Sequence, residues 1–441
     1  MRVMKDSGIE WIGEIPVEWD VPPLKSKYSF GKGLSITKSD LSDDGVKVIS
    51  YGQIHSKDNN GVSVRDSLIR HLPWDNDNLS EVAKTNEGDL IFADTSEDIQ
   101  GCGNCVYIDR NGPIYAGYHT LILHPKTCKQ EKYYAYLFAS DAWRAQVRAN
   151  VFGVKVYSIT QDVLKNTLLL EPPADEQERI VQYLDNKCFE IDALIATKEK
   201  TNALLKERRQ SLIYEAVTKG LDSTVPMKDS GVEWIGEIPE GWSTWRMKHL
   251  AVEPLQYGAN ATGIEFDSKL PRYVRITDIT SDRKLNDEGK QSLPESVARD
   301  YLLEPGDILF ARSGATSGKS FYFDESCGKC CFAGYLIRFR PDVNKANSRF
   351  LYYYTLTQAY EQWTQQIFIQ ATIQNISAEK YNNLAFAIPS TLEEQTEIVS
   401  YLDSECGKLN EIILNNESTI QKLKEYRQSL IYEAVTGKME V

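Results

Sequence analysis

The sequence lacks the features on which several common functions depend. No apolar run approaches the roughly 18 residues that a membrane-spanning helix needs, and the first residues, MRVMKDSGIEW, form no apolar signal segment. The 441 residues include only five histidines, and no Ser/His/Asp arrangement nominates a nucleophile. These absences predict a cytoplasmic chain without a membrane span that performs no bond chemistry itself.

The chain also lacks an excess of basic residues. Its formal net charge is −13, whereas proteins that bind DNA alone usually carry a basic face. Basic residues do occur in stretches without acids: Lys25, Lys27, Lys32 and Lys38, then Arg144, Arg148 and Lys155, and later Arg312 and Lys319. This pattern permits DNA binding through local loops, or within an assembly whose other subunits supply positive charge.

One segment has the spacing of a zinc site without its expected geometry. The candidate ligands are Cys102, Cys105, His119 and His124. The two histidines flank TLIL, a strand-like run, and residues five apart on a strand point to opposite faces. The context therefore argues against zinc. The eight cysteines of a cytosolic chain are expected to be reduced thiols.

Motifs for nucleotides and methyl donors are also incomplete. Residues 311–320, ARSGATSGKS, have three residues between Gly314 and Gly318, where a phosphate-binding P-loop needs four. The FGKG at residues 30–33 is too short for the glycine pattern of an S-adenosylmethionine site, and no nuclease centre stands out. The sequence therefore predicts no catalytic residue, no metal site and no cofactor in this chain.

What the sequence does contain is an internal repeat. Three blocks occur twice, in the same order, about half a chain apart: KDSGIEWIGEIP at 5–16 and KDSGVEWIGEIP at 228–239, EQERIVQYLD at 176–185 and EQTEIVSYLD at 394–403, and QSLIYEAVT at 210–218 and 428–436. The regions between these blocks diverge strongly. A duplicated frame around two dissimilar regions predicts a protein with two separate recognition surfaces.

The two variable regions have the mixed composition of an α+β fold. Strand-like runs such as EGDLIFA, from Glu87, and PGDILFA, from Pro305, fill corresponding places in the two halves. The predicted domains are 1–172, a central helix at 173–218, a linker at 219–227, a second domain at 228–390 and a last helix at 391–441.

The two long helices carry a heptad pattern that predicts a coiled coil. The seam residues are Leu184, Ile191, Lys198, Leu205 and Leu212, and Leu402, Leu409, Asn416, Leu423 and Leu430. A second row is predicted from Ile180 with Leu194, and from Ile398 with Ile412. Pairing of the two helices is favoured over separate packing on each domain, and Gly407 is expected to weaken the straightness of the second helix.

The combination of the duplicated blocks resembles the specificity subunits of type I restriction–modification systems, over essentially the whole chain. The resemblance implies two target recognition domains separated by two antiparallel coiled-coil helices, in a pseudo-two-fold repeat. Each domain would read one half of a bipartite, asymmetric sequence of double-stranded DNA, and the helices would set the spacer. Two modification (methyltransferase) subunits and restriction (translocase and endonuclease) subunits would join it, and these partners would use S-adenosylmethionine, ATP and Mg²⁺.

Polar and basic loop residues are the candidates for DNA contact. They are Thr95, Ser96, Lys155 and Tyr157 in the first region, and Arg312, Ser313, Thr316, Lys319, Gln370, Thr372 and Gln374 in the second. An ordinary surface role stays open for each of them. Two alternative functions also stay open: a stand-alone DNA methyltransferase or nuclease with a cryptic active site, and a pure oligomerisation scaffold.

Overall fold

The chain forms two compact units, each of which takes part of both long helices. A computed structural model describes residues 2–75, 77–126, 131–153, 155–280, 282–369 and 375–441. Unit 1 consists of residues 1–198 and 418–441, and unit 2 consists of residues 199–417. None of the helices in the described ranges is long and apolar enough to cross a membrane.

The first half of the chain is a mixed α and β region followed by a long helix. Its strands are β1 (Met4–Asp6), β2 (Glu14–Pro16), β3 (Tyr28–Lys32), β4 (Val46–Ile49), β5 (Arg70–Leu72), β6 (Lys84–Thr85), β7 (Leu90–Ala93), β8 (Thr95–Ser96), β9 (Cys105–Tyr107), β10 (Ile114–Ala116), β11 (Thr120–Pro125) and β12 (Tyr157–Ser158). Its helices are α1 (Leu24–Lys27), α2 (Tyr51–Ile54), α3 (Glu131–Ala139), α4 (Asp141–Arg148), α5 (Gln161–Lys165) and α6 (Ala174–Lys219).

The second half has a similar but not identical order of elements. Its strands are β13 (Met227–Asp229), β14 (Glu237–Pro239), β15 (Ser243–Arg246), β16 (Gln256–Tyr257), β17 (Ile264–Glu265), β18 (Arg272–Val274), β19 (Gln291–Ser292), β20 (Ile308–Ala311), β21 (Ser320–Tyr322), β22 (Cys330–Phe332), β23 (Leu336–Phe339) and β24 (Ala385–Ile388). Its helices are α7 (Met247–Leu250), α8 (Glu295–Ala298), α9 (Ser348–Tyr354), α10 (Gln358–Ile369), α11 (Ala378–Asn382) and α12 (Leu392–Val435).

Each half contains two four-stranded sheets. Their strand orders are β5-β4-β10-β6 and β3-β11-β7-β9 in the first half, and β17-β19-β18-β22 and β16-β23-β20-β21 in the second. Pairing is antiparallel except between β4 and β10 and between β18 and β22. The register also repeats, because Ala93 lies opposite Thr120 and Ala311 lies opposite Leu336.

The strands β7 and β20 separate two apolar cores in their own units. Leu90 and Phe92 belong to one core of unit 1, and the alternate residues of β7 belong to the other. The same alternation occurs in β20, where Ile308 and Phe310 face one core of unit 2. Side chains alternate between the two faces of a strand, and both faces are covered. This explains why LIFA and ILFA read as unbroken apolar runs.

The two long helices pair within each unit, as the heptad pattern predicted. In unit 2 the amide of Asn416 donates from Nδ2 to Oδ1 of Asn202 at 2.9 Å, and Arg209 bonds Asn410. The later residue of α6 contacts the earlier residue of α12 in these two pairs, so the helices are antiparallel. In unit 1, Arg427 of α12 forms an ion pair with Asp192 of α6. A helix of this length spans on the order of 65 Å.

The predicted second row of the seam is correct at Ile180 and Ile398, which are buried, and wrong by one residue further along. Leu194 and Ile412 are 53% and 46% exposed, whereas Ile195 and Ile413 are buried. The buried row in α6 runs through Cys188, Ile195 and Asn202, and a count of apolar residues misses its asparagine. In the first row, Leu184, Ile191, Leu212, Leu402 and Leu430 are buried, and Lys198, Leu205, Leu409, Asn416 and Leu423 are half-buried.

The helix α12 continues without a break through Gly407. The expected weakening at this glycine therefore does not interrupt the helix. Gly407 is exposed, and packing along the rest of α12 maintains the helical backbone around it.

The repeated blocks form the same contacts in both units. The WIGEIP block ends near a buried tryptophan, and the EQ-x-x-IV-x-YLD block supplies the partners at the start of each long helix. The matching hydrogen bonds are Trp19 to Glu176 and Trp242 to Glu394, Gln177 to the Pro172 carbonyl and Gln395 to the Pro389 carbonyl, and Tyr136 to Asp185 and Tyr353 to Asp403. Burial raises the pKa of Tyr353, so its hydroxyl stays a donor to Asp403.

Each long helix begins in one unit and ends in the other. Its C-terminal end packs into the main core of that second unit. Ile213, Ala216 and Val217 of α6 lie in the main core of unit 2. Ile431 and Val435 of α12 lie in the main core of unit 1, where Tyr133 donates its hydroxyl hydrogen to the Val435 carbonyl at 3.3 Å. This reciprocal packing accounts for the identity of the two QSLIYEAVT blocks.

Two glycines, one inside α12 and one just after its end, allow a paired test of stability. Gly437 has φ +68°, and a Cβ atom there would lie 2.4 Å from Cδ of Pro16, so Gly437→Ala is expected to destabilise the chain by more than about 1 kcal/mol. Gly407 lies inside the helix with no heavy atom within 4 Å of such a Cβ, so Gly407→Ala is expected to stabilise by about 0.5–1 kcal/mol. Denaturant titration of both variants measures the difference. Equal effects would contradict the assigned packing of Gly437.

Candidate nucleic-acid interface

In unit 1, candidate DNA contacts come together where β7 ends. The Asp94 N–H donates to the His119 carbonyl at 3.1 Å, and the chain continues into β8. There Ser96 lies opposite Tyr157, and Thr95 lies opposite Ser158 in β12. The structure therefore brings Thr95, Ser96 and Tyr157 together on one short two-stranded ribbon.

The two hydroxyl groups of β8 differ in availability. Thr95 is half-buried, and its Oγ1 donates to Oδ1 of Asp94 at 2.7 Å. Ser96 is 1% exposed, and its Oγ donates to the Asp98 carbonyl at 2.7 Å. Ser96 therefore supports the turn that follows, while Thr95 lies at the surface. Lys155 is exposed and lies two residues before Tyr157.

A cluster of aromatic and imidazole side chains lies beside this ribbon. His119 is exposed, has φ +53° and places Nδ1 at 3.3 Å from Oδ1 of Asp94. The ring centroid of Tyr51 is 5.4 Å from that of His119 and 5.5 Å from that of Tyr118. His55 contacts the Thr95 carbonyl through Nε2 at 2.8 Å.

Sequence reasoning considered His119 only as a doubtful metal ligand and missed this cluster. A signal was present in the repeat: YAGYHTLIL in the first half has one residue more than FAGYLIRF in the second. The additional residue allows His119 to adopt a left-handed conformation at the start of β11.

A polar cleft of about 550 Å³ opens next to the ribbon. It is lined in part by Tyr51, His55, Ser96, Asp98, Arg144 and Arg148. Arg144 donates from Nε to the Phe138 carbonyl, and burial lowers its pKa. Arg148 bonds the Gln100 carbonyl and Asp141. Both arginines belong to the stretch without acids that the sequence offered as permissive for DNA binding. In the structure their side chains form hydrogen bonds within unit 1.

The equivalent position in unit 2 carries an arginine on an aromatic ring. The Arg312 N–H donates to the Tyr335 carbonyl at 3.0 Å, as Asp94 does to His119. The guanidinium carbon of Arg312 lies 4.8 Å from the ring centroid of Tyr257, a cation–π geometry. The Ala378 N–H donates to the Tyr257 hydroxyl at 2.9 Å, which holds the ring in place.

Backbone contacts fix the loop that follows Arg312. The Arg312 carbonyl accepts hydrogen bonds from Ser317 and Ile376, at 3.0 and 2.9 Å. Ser313 forms a β-bridge with Asn375. Within the described residues, Nε of Arg312 is buried without a hydrogen-bond partner.

The remaining candidates of the second region lie on this loop or outside the described residues. Thr316 ends a short 3₁₀ turn, and its carbonyl accepts from the N–H of half-buried Lys319 at 3.0 Å. The loop leads into the strand β21 rather than into a helix. Gln370, Thr372 and Gln374 lie outside the described residues.

The four residues with zinc-like spacing have separate environments. Burial raises the pKa of the Cys105 thiol to about 12 and raises that of Cys102. His119 pairs with Asp94, and His124 pairs with Asp89 at 2.9 Å. Across the described part of the chain, no group of three or more His, Cys, Asp or Glu side chains is placed to hold a metal ion.

Comparisons with known proteins agree with one another. Residues 16–207 and 273–424 match the family model described as the type I restriction modification DNA specificity domain. The chain is 22% identical over 436 residues to the type I restriction enzyme StySPI specificity subunit of Salmonella potsdam, a match covering 97% of this chain and 90% of that protein. It is 23% identical over 346 residues to the EcoBI specificity subunit of Escherichia coli, covering 75% and 72% of the two chains.

A solved structure shares the fold. It comes from work on the structural basis of complex assembly and conformational transition of the type I R-M system. The TM-score is 0.66 at 18% sequence identity, and the match covers 96% of this chain and 99% of that chain. At this level of identity the likeness concerns the fold alone.

Proposed function

The chain belongs to the family of type I restriction–modification DNA specificity proteins, and we propose that each of its two mixed α/β regions reads one half of a bipartite DNA target. One observation carries this proposal. Equivalent backbone positions, marked by the same hydrogen bond, present Asp94 and His119 in unit 1 but Arg312 and Tyr335 in unit 2. Unlike donors and acceptors on a repeated frame would select unlike bases, so the target would be asymmetric.

In unit 2, Arg312 is the proposed base-reading residue. A guanidinium offers two parallel donors that match O6 and N7 of guanine in the major groove. Stacking on Tyr257 limits its rotamers, so less conformational entropy is lost on binding. Ser313, Thr316 and Lys319 would contribute neighbouring base or phosphate contacts. The amide and hydroxyl side chains of Gln370, Thr372 and Gln374 remain proposed contacts, and Gln can bind adenine bidentately.

In unit 1, the proposed reading surface is the ribbon with its aromatic and imidazole cluster. Thr95 and Tyr157 offer hydroxyl groups, His119 offers an exposed imidazole, and Lys155 is the proposed phosphate contact. Ser96 is proposed to act by holding the turn at Asp98. This surface presents Asp94 beside His119 instead of an arginine, so it would suit a different half-site.

The acidic chain is proposed to act in an assembly. Modification subunits would dock on the repeated frame, and two similar copies of that frame support two such subunits. Restriction subunits would join them. S-adenosylmethionine, ATP and Mg²⁺ are proposed to act in these partners. The net charge of −13 favours an arrangement in which the partners supply much of the positive charge around DNA.

The matches favour DNA recognition over a stand-alone methyltransferase or nuclease, and incubation of the purified chain alone with DNA, S-adenosylmethionine and Mg²⁺ tests that alternative. Turnover abolished by a point substitution in this chain would establish an enzyme. The pure scaffold alternative predicts an assembled complex that leaves no footprint on DNA.

Methylation mapping tests the proposed function directly. Single-molecule sequencing of host DNA with and without this gene is expected to show one bipartite methylated sequence that disappears with the gene. Persistence of every methylated motif in the deletion strain would contradict the proposal.

Replacement of Arg312 tests the reader assignment in unit 2. Arg312→Ala is expected to lower the affinity of the assembled complex for its target by about 5- to 150-fold. This range follows because a bidentate contact to a base contributes about 1–3 kcal/mol to binding. Methylation should relax at one base of one half-site. Arg299→Ala is the control, because Arg299 is an exposed arginine of the same unit and pairs only with its neighbour Asp300 among the described residues. Equal effects of the two substitutions would refute the assignment.

A further inference from the structure

A tight hairpin in unit 1 carries an unusually exposed aromatic ring. The hairpin consists of residues 151–153 and 155–159, and Phe152 forms a β-bridge with Ser158. A Cβ atom at Gly153 would lie 2.1 Å from the carbonyl oxygen of Val156. Only glycine allows so close a backbone approach, so the sequence specifies this turn.

The base of the hairpin is fixed to the proposed reading surface. Tyr157 and Ser158 pair with β8, and the Ile159 N–H donates to the Asp94 carbonyl at 2.7 Å. Ile159 is 1% exposed and anchors the returning strand in the core. The hairpin is therefore held against the same ribbon that presents Thr95.

The tip of the hairpin is apolar and basic. Phe152 is 87% exposed, the largest fraction among the exposed large hydrophobic side chains of the described residues, and Val156 is 52% exposed. Exposed Lys155 lies between them in sequence. Single exposed apolar residues are common. Here an aromatic ring, a valine and a lysine lie within five residues beside the ribbon, which points to a partner that is both stackable and anionic.

We propose that Phe152 is a DNA-stacking wedge that contacts or enters a base step of the half-site read by unit 1, while Lys155 contacts the adjacent phosphate. This inference rests on the proposed function. Phenylalanine is among the side chains that proteins insert between base steps, and base–aromatic stacking contributes to affinity with little dependence on sequence. The wedge would add affinity and local DNA deformation to the hydrogen-bond reading by its neighbours.

The test uses the complete chain assembled with its modification subunits. The probe is a duplex carrying the mapped target, with 2-aminopurine placed in turn at each step of the half-site assigned to the first region. Wild-type complex is expected to change the fluorescence at one step. Phe152→Ala should remove that change and weaken binding by about 5- to 150-fold, while Phe152→Trp should retain both.

Trp74→Ala is the matched control, because Trp74 is a 71% exposed aromatic residue of the same unit. It should leave the fluorescence and the affinity unchanged. Thermal melting of each variant should match wild type, since the ring of Phe152 contributes little to the core. A melting temperature that falls only in Phe152→Ala would indicate a structural role and would overturn the proposal.

Three further outcomes are decisive. If wild-type complex binds DNA and Phe152→Ala binds equally well with the same fluorescence change, the wedge is wrong and the proposed function stands. If Phe152→Ala instead loses its modification subunits, the hairpin docks a protein and the wedge is again wrong. If wild-type complex does not bind the mapped target, both the wedge and the proposed function fail.

Discussion

Exchange of residues 21–172 for the corresponding region of a divergent family member is expected to change one half of the methylated sequence and leave the other half unchanged. The exchanged region contains both proposed elements of the first reader, the β8–β12 ribbon and the hairpin at Phe152. Because unit 2 contains none of these residues, its half-site should persist.

The ends of this region meet in the fold, which makes the exchange practicable. Asp20 and Glu171 form a β-bridge in which each N–H donates to the other residue's carbonyl, at 2.9 and 2.8 Å. Trp19 and Glu176 lie outside the exchanged segment, so their hydrogen bond is retained. A foreign region with matching ends should therefore seat on the existing frame.

The control is the reciprocal exchange in the second half. Residues 243–388 form the counterpart, because Ser243 pairs with Ile388 at the ends of β15 and β24. Their exchange should change only the other half of the methylated sequence, as read by single-molecule mapping. A change in both halves after either exchange would show that the two regions do not read separately.

Insertion of one heptad into each long helix is expected to change the spacer between the half-sites and to keep both half-sites. The insertions belong after Lys198 in α6 and after Glu417 in α12, where unit 1 and unit 2 divide. A heptad adds about 10 Å of helix, equal to at most about three base pairs at 3.4 Å each. The expected change is therefore one to three base pairs.

Placement at these two points preserves the helix pairing inside each unit. Asn202 still meets Asn416 in unit 2, and Asp192 still meets Arg427 in unit 1. A heptad in α6 alone is the control. It should shift one helix against the other, separate buried amides or charges from their partners, and abolish modification. Methylation at an unchanged spacer after the double insertion would show that the helices do not set it.

The sequence predicted the frame better than the surfaces. Duplicated blocks and unbroken apolar runs identified the family, the long helices and the matching strands β7 and β20. In α6 the second seam row is hidden in the sequence because Asn202 is polar, although packing buries it. Contacts between distant segments were also out of reach, since nothing in local sequence places the end of α12 against Tyr133.

The exposure and contacts of individual loop side chains were the hardest features to predict from the sequence. Arg312 stands out in sequence as a basic residue in a polar loop, but its stacking on Tyr257 depends on a residue 55 positions away. The first half has one residue more than the second at this point, and His119 is exposed there with a positive φ. Ser96 and Thr95 are adjacent and chemically alike, and only the alternation of β8 decides which hydroxyl is buried.

The identical helix ends have a consequence for how specificity can evolve. Ile213, Ala216 and Val217 enter one core, and Ile431, Ala434 and Val435 enter the other. Both cores are therefore completed by the same helix-end sequence, whatever bases the outer loops would select. We therefore expect that recombination between genes, or between the two halves of one gene, can exchange recognition regions while the scaffold stays unchanged.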